Sequence, residues 1–178
     1  MRIKVLPTMM TAVLSASLLI GGWYAYRNVA TVQPLEQIVK EVPGVANATP
    51  VVGRDNVTVQ LTLKPDANIR KVYDTIAEKG DSVIGNRTLE LQIQNKQADE
   101  KLNDIWSAKL FDIAQAMENR QYAQIPAAMV TIENQYKGVT ATSEMDETNV
   151  YITLKDGEAV KHVILPRTPN QLGVWPNA

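Results

Sequence analysis

The sequence predicts an α+β chain. An amino-terminal transmembrane helix comes first, followed by a small two-layer αββαβ sandwich and a second α+β region of helices and an antiparallel β-hairpin. Three observations carry that prediction. Residues 5–26 contain no charge; residues 56–63, NVTVQLTL, alternate apolar and polar as a half-buried strand does; and apolar residues at helical spacing stand on both sides of that strand.

The amino-terminal segment reads as a signal-anchor. Arg2 and Lys4 precede VLPTMMTAVLSASLLIGGWYAY, and Arg27 closes it. A helix of that length reaches roughly 33 Å, against a hydrocarbon core of about 30 Å. A cleaved secretory signal is the competing reading, disfavoured because the apolar run is long and no small-x-small site follows it. Trp23, Tyr24 and Tyr26 would meet the head groups at the far boundary, with plain apolar filling as the alternative. The short basic tail, residues 1–4, is expected inside the cytoplasm and residues 28–178 outside, in a single-pass bacterial membrane protein.

A linker over 27–33 leads to the first module, 34–95. Leu35, Ile38, Val39 and Val42 make one helical stripe, which Pro43 and Gly44 end. The chain then passes through Val51 and Val52, turns over Gly53 to Asn56, and returns with Val57, Val59, Leu61 and Leu63 on one strand face. Lys64, Pro65 and Asp66 close the strand and cap a helix striped by Ile69, Val72, Ile76 and Ala77, with Gly80 as its expected stop. Leu89, Leu91 and Ile93 then alternate in a third strand. Two helices over one apolar sheet face are enough to close a small core.

The second module, 98–165, begins with a helix from Asp99 that carries Leu102, Trp106, Leu110, Ile113 and Met117, with Ile105 and Phe111 at its margins. A further helical stretch around Pro126 bears Met129, Ile132 and Tyr136; a helical hairpin and a kinked long helix both fit. Three antiparallel strands follow, the last two joined at Asp156-Gly157. GVANATPVVGRDNVTVQL and GVTATSEMDETNVYITL echo one another, each placing Gly-Val after a helix and Asn-Val after a polar turn. A structural repeat and a recurring helix-to-hairpin transition both account for that echo. Residues 166–178 read as an extended Pro-rich tail whose Leu172, Val174 and Trp175 are candidate partner contacts, or fold back on their own domain.

Composition narrows the chemistry. Removing Arg2, Lys4 and Arg27 from the 18 basic residues leaves 15 against 19 acidic ones, so the region after the first helix is mildly acidic and has no basic stripe for nucleic acid. The chain has no cysteine, which excludes disulfides, thiolate metal sites and thiol catalysis. The single histidine, His162, has no nucleophile or orienting carboxylate at a supporting spacing, and reads as structural, with Tyr151 its expected cross-strand neighbour. Glu144, Asp146 and Glu147 lack the spacing and central glycine of a calcium loop and read as a solvated turn. No catalytic, cofactor-binding or metal residues are therefore expected. Asn-x-Thr triplets at Asn47, Asn56 and Asn86 are set aside as chance occurrences in turns.

From Pro34 to Gln94 the chain resembles a ferredoxin-like helix, strand, strand, helix, strand module. IVKEVPGVANA followed by VTVQL is similar to heavy-metal-associated domains, whose Cys-x-x-Cys loop is absent here, so metal transport is not implied. The same order after one amino-terminal anchor resembles the ring-building-motif domains of bacterial secretion and sporulation channels and the YhcN/YlaJ group of sporulation lipoproteins, without the latter's lipid-attachment cysteine. That resemblance implies envelope or sporulation modules that pack against partners or copies of themselves. The resulting expectation is a non-catalytic extracytoplasmic assembly protein, in contact with the bilayer through residues 5–26 and with a protein partner or a second copy. The wet residues Arg54, Thr58, Gln60 and Thr62 are the candidate contacts. A ligand-binding or sensor domain with a pocket lined by Trp106 and Phe111 is the alternative, and an envelope enzyme without a recognisable motif is the third reading.

Overall fold

The computed structural model describes residues 5–95 and 98–167, with the backbone alone at 5–8, 11, 12 and 24–29. Its elements run α1 (Val5–Arg27), a π-helical turn (Asn28–Val32), α2 (Gln33–Lys40), β1 (Val45–Val52), β2 (Asn56–Leu63), α3 (Ile69–Ile84), β3 (Thr88–Ile93), α4 (Glu100–Glu118), α5 (Gln124–Gln135), β4 (Val139–Met145), β5 (Asn149–Asp156) and β6 (Ala159–Pro166). The α+β class and two three-stranded sheets agree with the sequence pattern; the membrane span does not.

The uncharged amino-terminal run does form a helix, but among the described residues no helix is long and apolar enough to cross a membrane. Freedom from charge is a weaker property than apolarity: Thr8, Thr11, Ser15, Ser17 and the Gly21-Gly22 pair interrupt the run, and the Ser17 hydroxyl turns back to the Val13 carbonyl at 2.8 Å. The transmembrane part of the fold class, the single-pass signal-anchor and the placement of residues 28–178 outside the cytoplasm are therefore overturned. The bilayer contact expected of residues 5–26 presupposed that span. Arg2 and Lys4 lie outside the described residues, Tyr24, Tyr26 and Arg27 are described in backbone only, and Trp23 is exposed.

Residues 27–33, the expected linker, are helical: α1 passes into α2 through the π-helical turn. Pro34 has no N–H to offer the preceding turn, and its ring crowds the carbonyl four residues back. A widened turn immediately before it accommodates both defects.

In the first module Leu35 and Val39 of α2, Ile69, Val72 and Ile76 of α3, and the inward residues of β1, β2 and β3 make one core. β1 runs antiparallel to β2, and β3 joins the other side of β2 in parallel after the α3 crossover. The β1 register slips between Val45 and Asn47, which brings both Val45 and Ala48 inward although they are three residues apart. Asn68, rather than Asp66, caps α3, its Oδ1 accepting the Lys71 N–H at 2.8 Å. Nor does the helix stop at Gly80. It runs four residues further to a Gly85 cap, and Gly80 is a contact point: a Cβ there would lie 2.9 Å from Ile84 Cδ1 and 3.3 Å from Leu35 Cδ1 of α2. A glycine that lets two helices approach resembles, in sequence, one that ends a helix.

The second module is a helical hairpin, α4 and α5, over the antiparallel meander β4-β5-β6. Asp99 caps α4 by accepting the Leu102 N–H at 2.8 Å. The internal echo has a structural counterpart. α2-β1-β2 and α5-β4-β5 enter their hairpins identically, with Gly44 at φ 91° and Gly138 at φ 87°, and with the next N–H (Val45, Val139) bonded at 3.1 Å to the carbonyl three residues back. Both hairpins close alike, Gly53 N–H on Asn56 O at 2.7 Å and Asp146 N–H on Asn149 O at 3.0 Å. The units then diverge, since β3 is parallel to its neighbour and β6 antiparallel.

β5 and β6 are buried on both faces. Val150, Ile152, Leu154, Val163 and Leu165 face the α4–α5 core, whereas Tyr151 and Ile164 point the other way and complete the core of the first module. That outer face closes one end of the first sandwich, where β2 and β3 finish and α3 begins.

The two entry glycines separate backbone strain from collision. At both, an alanine would be held at a φ that L residues avoid, costing about 1–2 kcal/mol. At Gly44 the added Cβ would also come within 2.9 Å of Ala67 Cβ and 3.3 Å of its backbone Cα, while at Gly138 the nearest atom is 3.5 Å away. Gly44→Ala is expected to destabilise the protein by more than about 2 kcal/mol and Gly138→Ala by about 1–2 kcal/mol, measured by urea unfolding.

Candidate functional site

Thr58, Gln60 and Thr62 alternate with the buried residues of β2 and line the sheet face opposite the helices. The register lays Thr49, Gln60 and Gln92 in one row and Val51, Thr58 and Glu90 in the next, and Gln94 Nε2 donates to Gln60 Oε1 at 3.1 Å. Arg54 is exposed at the β1–β2 turn. Three of the four wet residues thus share one helix-free surface, with Arg54 at its end. Leu172, Val174 and Trp175 lie outside the described residues.

The pocket expected from Trp106 and Phe111 does not form. Trp106 is 3% exposed within the second core, and Phe111 is 80% exposed. Five residues along a helix turn a side chain through about 500°, so the two stand well apart around α4 and one can be inside while the other is in solvent.

His162 also departs from its expected pairing. Gly157 and Glu158 form the two-residue turn that pairs Asp156 with Ala159, which sets Thr153 opposite His162 and Ile164 opposite Tyr151. Placing the turn one residue earlier shifts every partner by two. His162 Nδ1 lies 3.0 Å from Thr153 Oγ1, and the residue is 3% exposed. Burial pushes its pKa down to about 4, so the ring is neutral near pH 7.

The acidic turn is occupied by the protein's own donors. Asp146 Oδ1 accepts the Thr148 and Asn149 N–H groups, each at 2.6 Å, and the Thr148 hydroxyl at 3.0 Å; Oδ2 accepts the Tyr151 hydroxyl at 2.5 Å. Arg167 Nη1 donates to the Asp146 and Glu147 carbonyls at 2.9 and 3.1 Å, with its guanidinium 4.7 Å from the Tyr122 ring centre. Glu144 turns instead to the first module, accepting Asn68 Nδ2 at 2.8 Å and lying 3.8 Å from Arg70. Among the described residues no group of three histidine or acidic side chains is placed to hold a metal ion.

Burial acts to raise the Asp146 pKa and is the largest single influence on it. The hydrogen bonds from Tyr151, Asn149 and Thr148 together outweigh burial and hold the carboxyl below its ordinary value of 3.8. Tyr151 moves the other way: burial first, and then the carboxylate that accepts its proton, keep the phenol protonated far beyond its ordinary range.

These groups meet where the modules join. Asp66, Ala67, Asn68 and Ile69 at the start of α3, with Thr142, Glu144, Tyr151 and Thr153 opposite, bound a cleft of about 220 Å³. Tyr73 of α3 meets Tyr151 at 5.8 Å between ring centres, tilted by 59°. On the far side Asn95 acts as a clamp, its Oδ1 accepting the His162 N–H at 2.8 Å and its Nδ2 donating to the His162 carbonyl at 3.0 Å. One side-chain amide therefore pairs with the free edge of β6 as another strand would. Sequence periodicity carries no sign of Asn95, and the surplus apolarity of NVYITL over NVTVQL was the available hint of a doubly covered strand. No protein-family model, curated protein or solved structure matches the chain.

Tyr151→Phe isolates the Asp146 contact. The stability that Asp146 contributes is present above pH 3.8 and is lost as pH falls through its lower folded value. Removing the phenol hydroxyl is expected to cost about 1–3 kcal/mol at pH 7 and to raise the folded pKa of Asp146 towards 3.8, so that less stability is left to lose on acidification and the loss is complete at a higher pH than in the parent protein. Chemical denaturation between pH 2 and 7 measures both effects.

Proposed function

We propose that this chain is a non-catalytic interaction and assembly module, whose contact surface is the helix-free face of the first sheet together with its outer strand β1. The observation that carries this reading is the filled junction. In α/β units ligands settle beyond the carboxyl ends of the parallel strands, beside the amino end of the following helix. Here that position, at the ends of β2 and β3 and the start of α3, is closed by Tyr151 and Ile164 from the second module.

The cleft left there, about 220 Å³, and a second of about 230 Å³ beside Tyr122 and Met145 are below the roughly 300–1,000 Å³ of small-molecule sites. His162 is walled in and Asp146 is committed to internal donors, so neither is presented to a substrate. The first sheet leaves a broad accessible area instead. Thr58, Gln60 and Thr62 of β2, Thr49 of β1 and Gln92 of β3 form a lattice of hydrogen-bonding groups on it, with Glu90 of β3 beside Thr58. Val51 of β1 is 53% exposed beside them, and among the described residues β1 pairs on one side only. An outer strand next to a flat face suits docking of another protein by strand addition or by face packing. The likeness of residues 34–94 to modules that pack against partners or copies of themselves supports the same reading.

A photo-crosslinking side chain placed at Val51 or Gln60 tests it in the native host. Discrete protein adducts are expected at both positions and none at Phe111, and Thr58→Lys is expected to reduce them at least 10-fold with the unfolding midpoint unchanged. Absence of adducts from Val51 and Gln60 in a normally folded protein would sink the proposal.

A further inference from the structure

The contact between the modules is built on a histidine that has no means of holding a second proton. His162 lies on β6, the edge of the second sheet, and both its backbone groups are taken by Asn95 at the end of the first. Its Nδ1 meets Thr153, whereas its Nε2 is buried without a hydrogen-bond partner among the described residues. The space beside the ring is lined by Thr62, Leu63, Ile93, Gln94, Asn95 and Val160 and measures about 10 Å³, room for one water at most. An imidazolium carries an N–H at Nε2 whichever nitrogen was protonated first. In this space that group would have neither an acceptor nor a hydration shell.

No nearby charge offsets the cost. Thr62 and Leu63 from β2, Ile93, Gln94 and Asn95 from the end of β3, and Thr153 from β5 do not ionise. On the same face of the second sheet the ionisable residues are Glu144, which is turned to Asn68 and Arg70, Tyr151, which stays a neutral phenol, and the exposed Lys155, while Asp66 borders the neighbouring cleft beside Thr153; none of them is hydrogen-bonded to the His162 ring. Lys161 lies on the opposite face, bonded through Nζ to Asn103 Oδ1 of α4 at 3.1 Å.

We infer that the junction is a proton-sensitive latch: protonation of His162 releases the Asn95 clamp and lifts the second module off the end of the first, while each module retains its own core. The two cores make separation possible. Apart from Tyr151 and Ile164, the buried residues of each cluster belong to its own module. The direction of the response follows from the ring's depressed pKa of about 4 against 6.5 in an open state. The open state takes up the proton first, so acidification from 6.5 towards 4 favours opening, and the latch is fully engaged above 6.5.

Because the chain has one histidine, its ring gives one proton-NMR titration. The expected result is a midpoint well below 6.5 in the intact protein. Amide exchange of residues 159–166, corrected for the intrinsic pH dependence, should rise by up to about 10-fold per pH unit over the same range, while far-ultraviolet circular dichroism holds steady. In His162→Phe that rise should disappear. Thr153→Val keeps the titrating ring and should keep the rise, which covers the case in which the phenylalanine variant folds poorly. A ring midpoint near 6.5, an unchanged acid response in His162→Phe, or simultaneous loss of structure in both modules would overturn the latch.

Discussion

Tyr151 and Ile164 point away from the helices of their own module. A sheet that is apolar on both faces is stabilised when both are covered, because burying each large side chain contributes about 1.5–3 kcal/mol that exposure forfeits. The α4–α5 hairpin covers one face of the second sheet, and the open end of the first sandwich receives the other. From that requirement follow the seating of Tyr73 on Tyr151, the Asn95 clamp on the β6 edge, and the burial of His162 as a consequence of its place between them.

The polar groups drawn into the junction are satisfied by devices, each of which limits what the site can do. The Tyr151 hydroxyl reaches the end of the hydrophobic contact and finds Asp146, which has already gathered two backbone N–H groups and the Thr148 hydroxyl. A carboxylate with that many donors is stabilised as the anion. Arg167 then ties the same turn to Tyr122. Asp146, which the sequence places in a solvated turn, is thus structural in space.

How far the sequence reveals this arrangement differs from element to element. The alternation in NVTVQLTL belongs to a strand with one wet face, and the structure places Thr58, Gln60 and Thr62 there. NVYITL breaks the alternation with Tyr151, and VIL at 163–165 breaks it again, as strands covered on both faces do. The partner that supplies the second cover lies about 80 residues away in sequence, at Tyr73, and no local pattern names it. Gly80 illustrates the same limit, since a glycine kept for helix-to-helix approach and one kept for a stop are the same letter. The amino-terminal run shows a different error: counting charges registered the gap between Lys4 and Arg27 and overlooked the hydroxyls and glycines within it.

The repeated unit explains why one module presents a surface and the other a seal. Both begin as a helix, a left-handed glycine and a hairpin of matching closure. In the first, the chain then crosses over through α3, whose helix sits with α2 on one side of the sheet and leaves the other side mostly to Thr and Gln, with Glu90 and Val51 among them. In the second, a two-residue turn returns the chain at once as β6, so no crossover helix is added and Tyr151, His162 and Ile164 accumulate on the face opposite α4 and α5. A polar face is stable in water and free to meet a partner, whereas an apolar one must be covered within the chain. The difference between a parallel and an antiparallel third strand thereby decides which sheet keeps a wet face and which is covered on both.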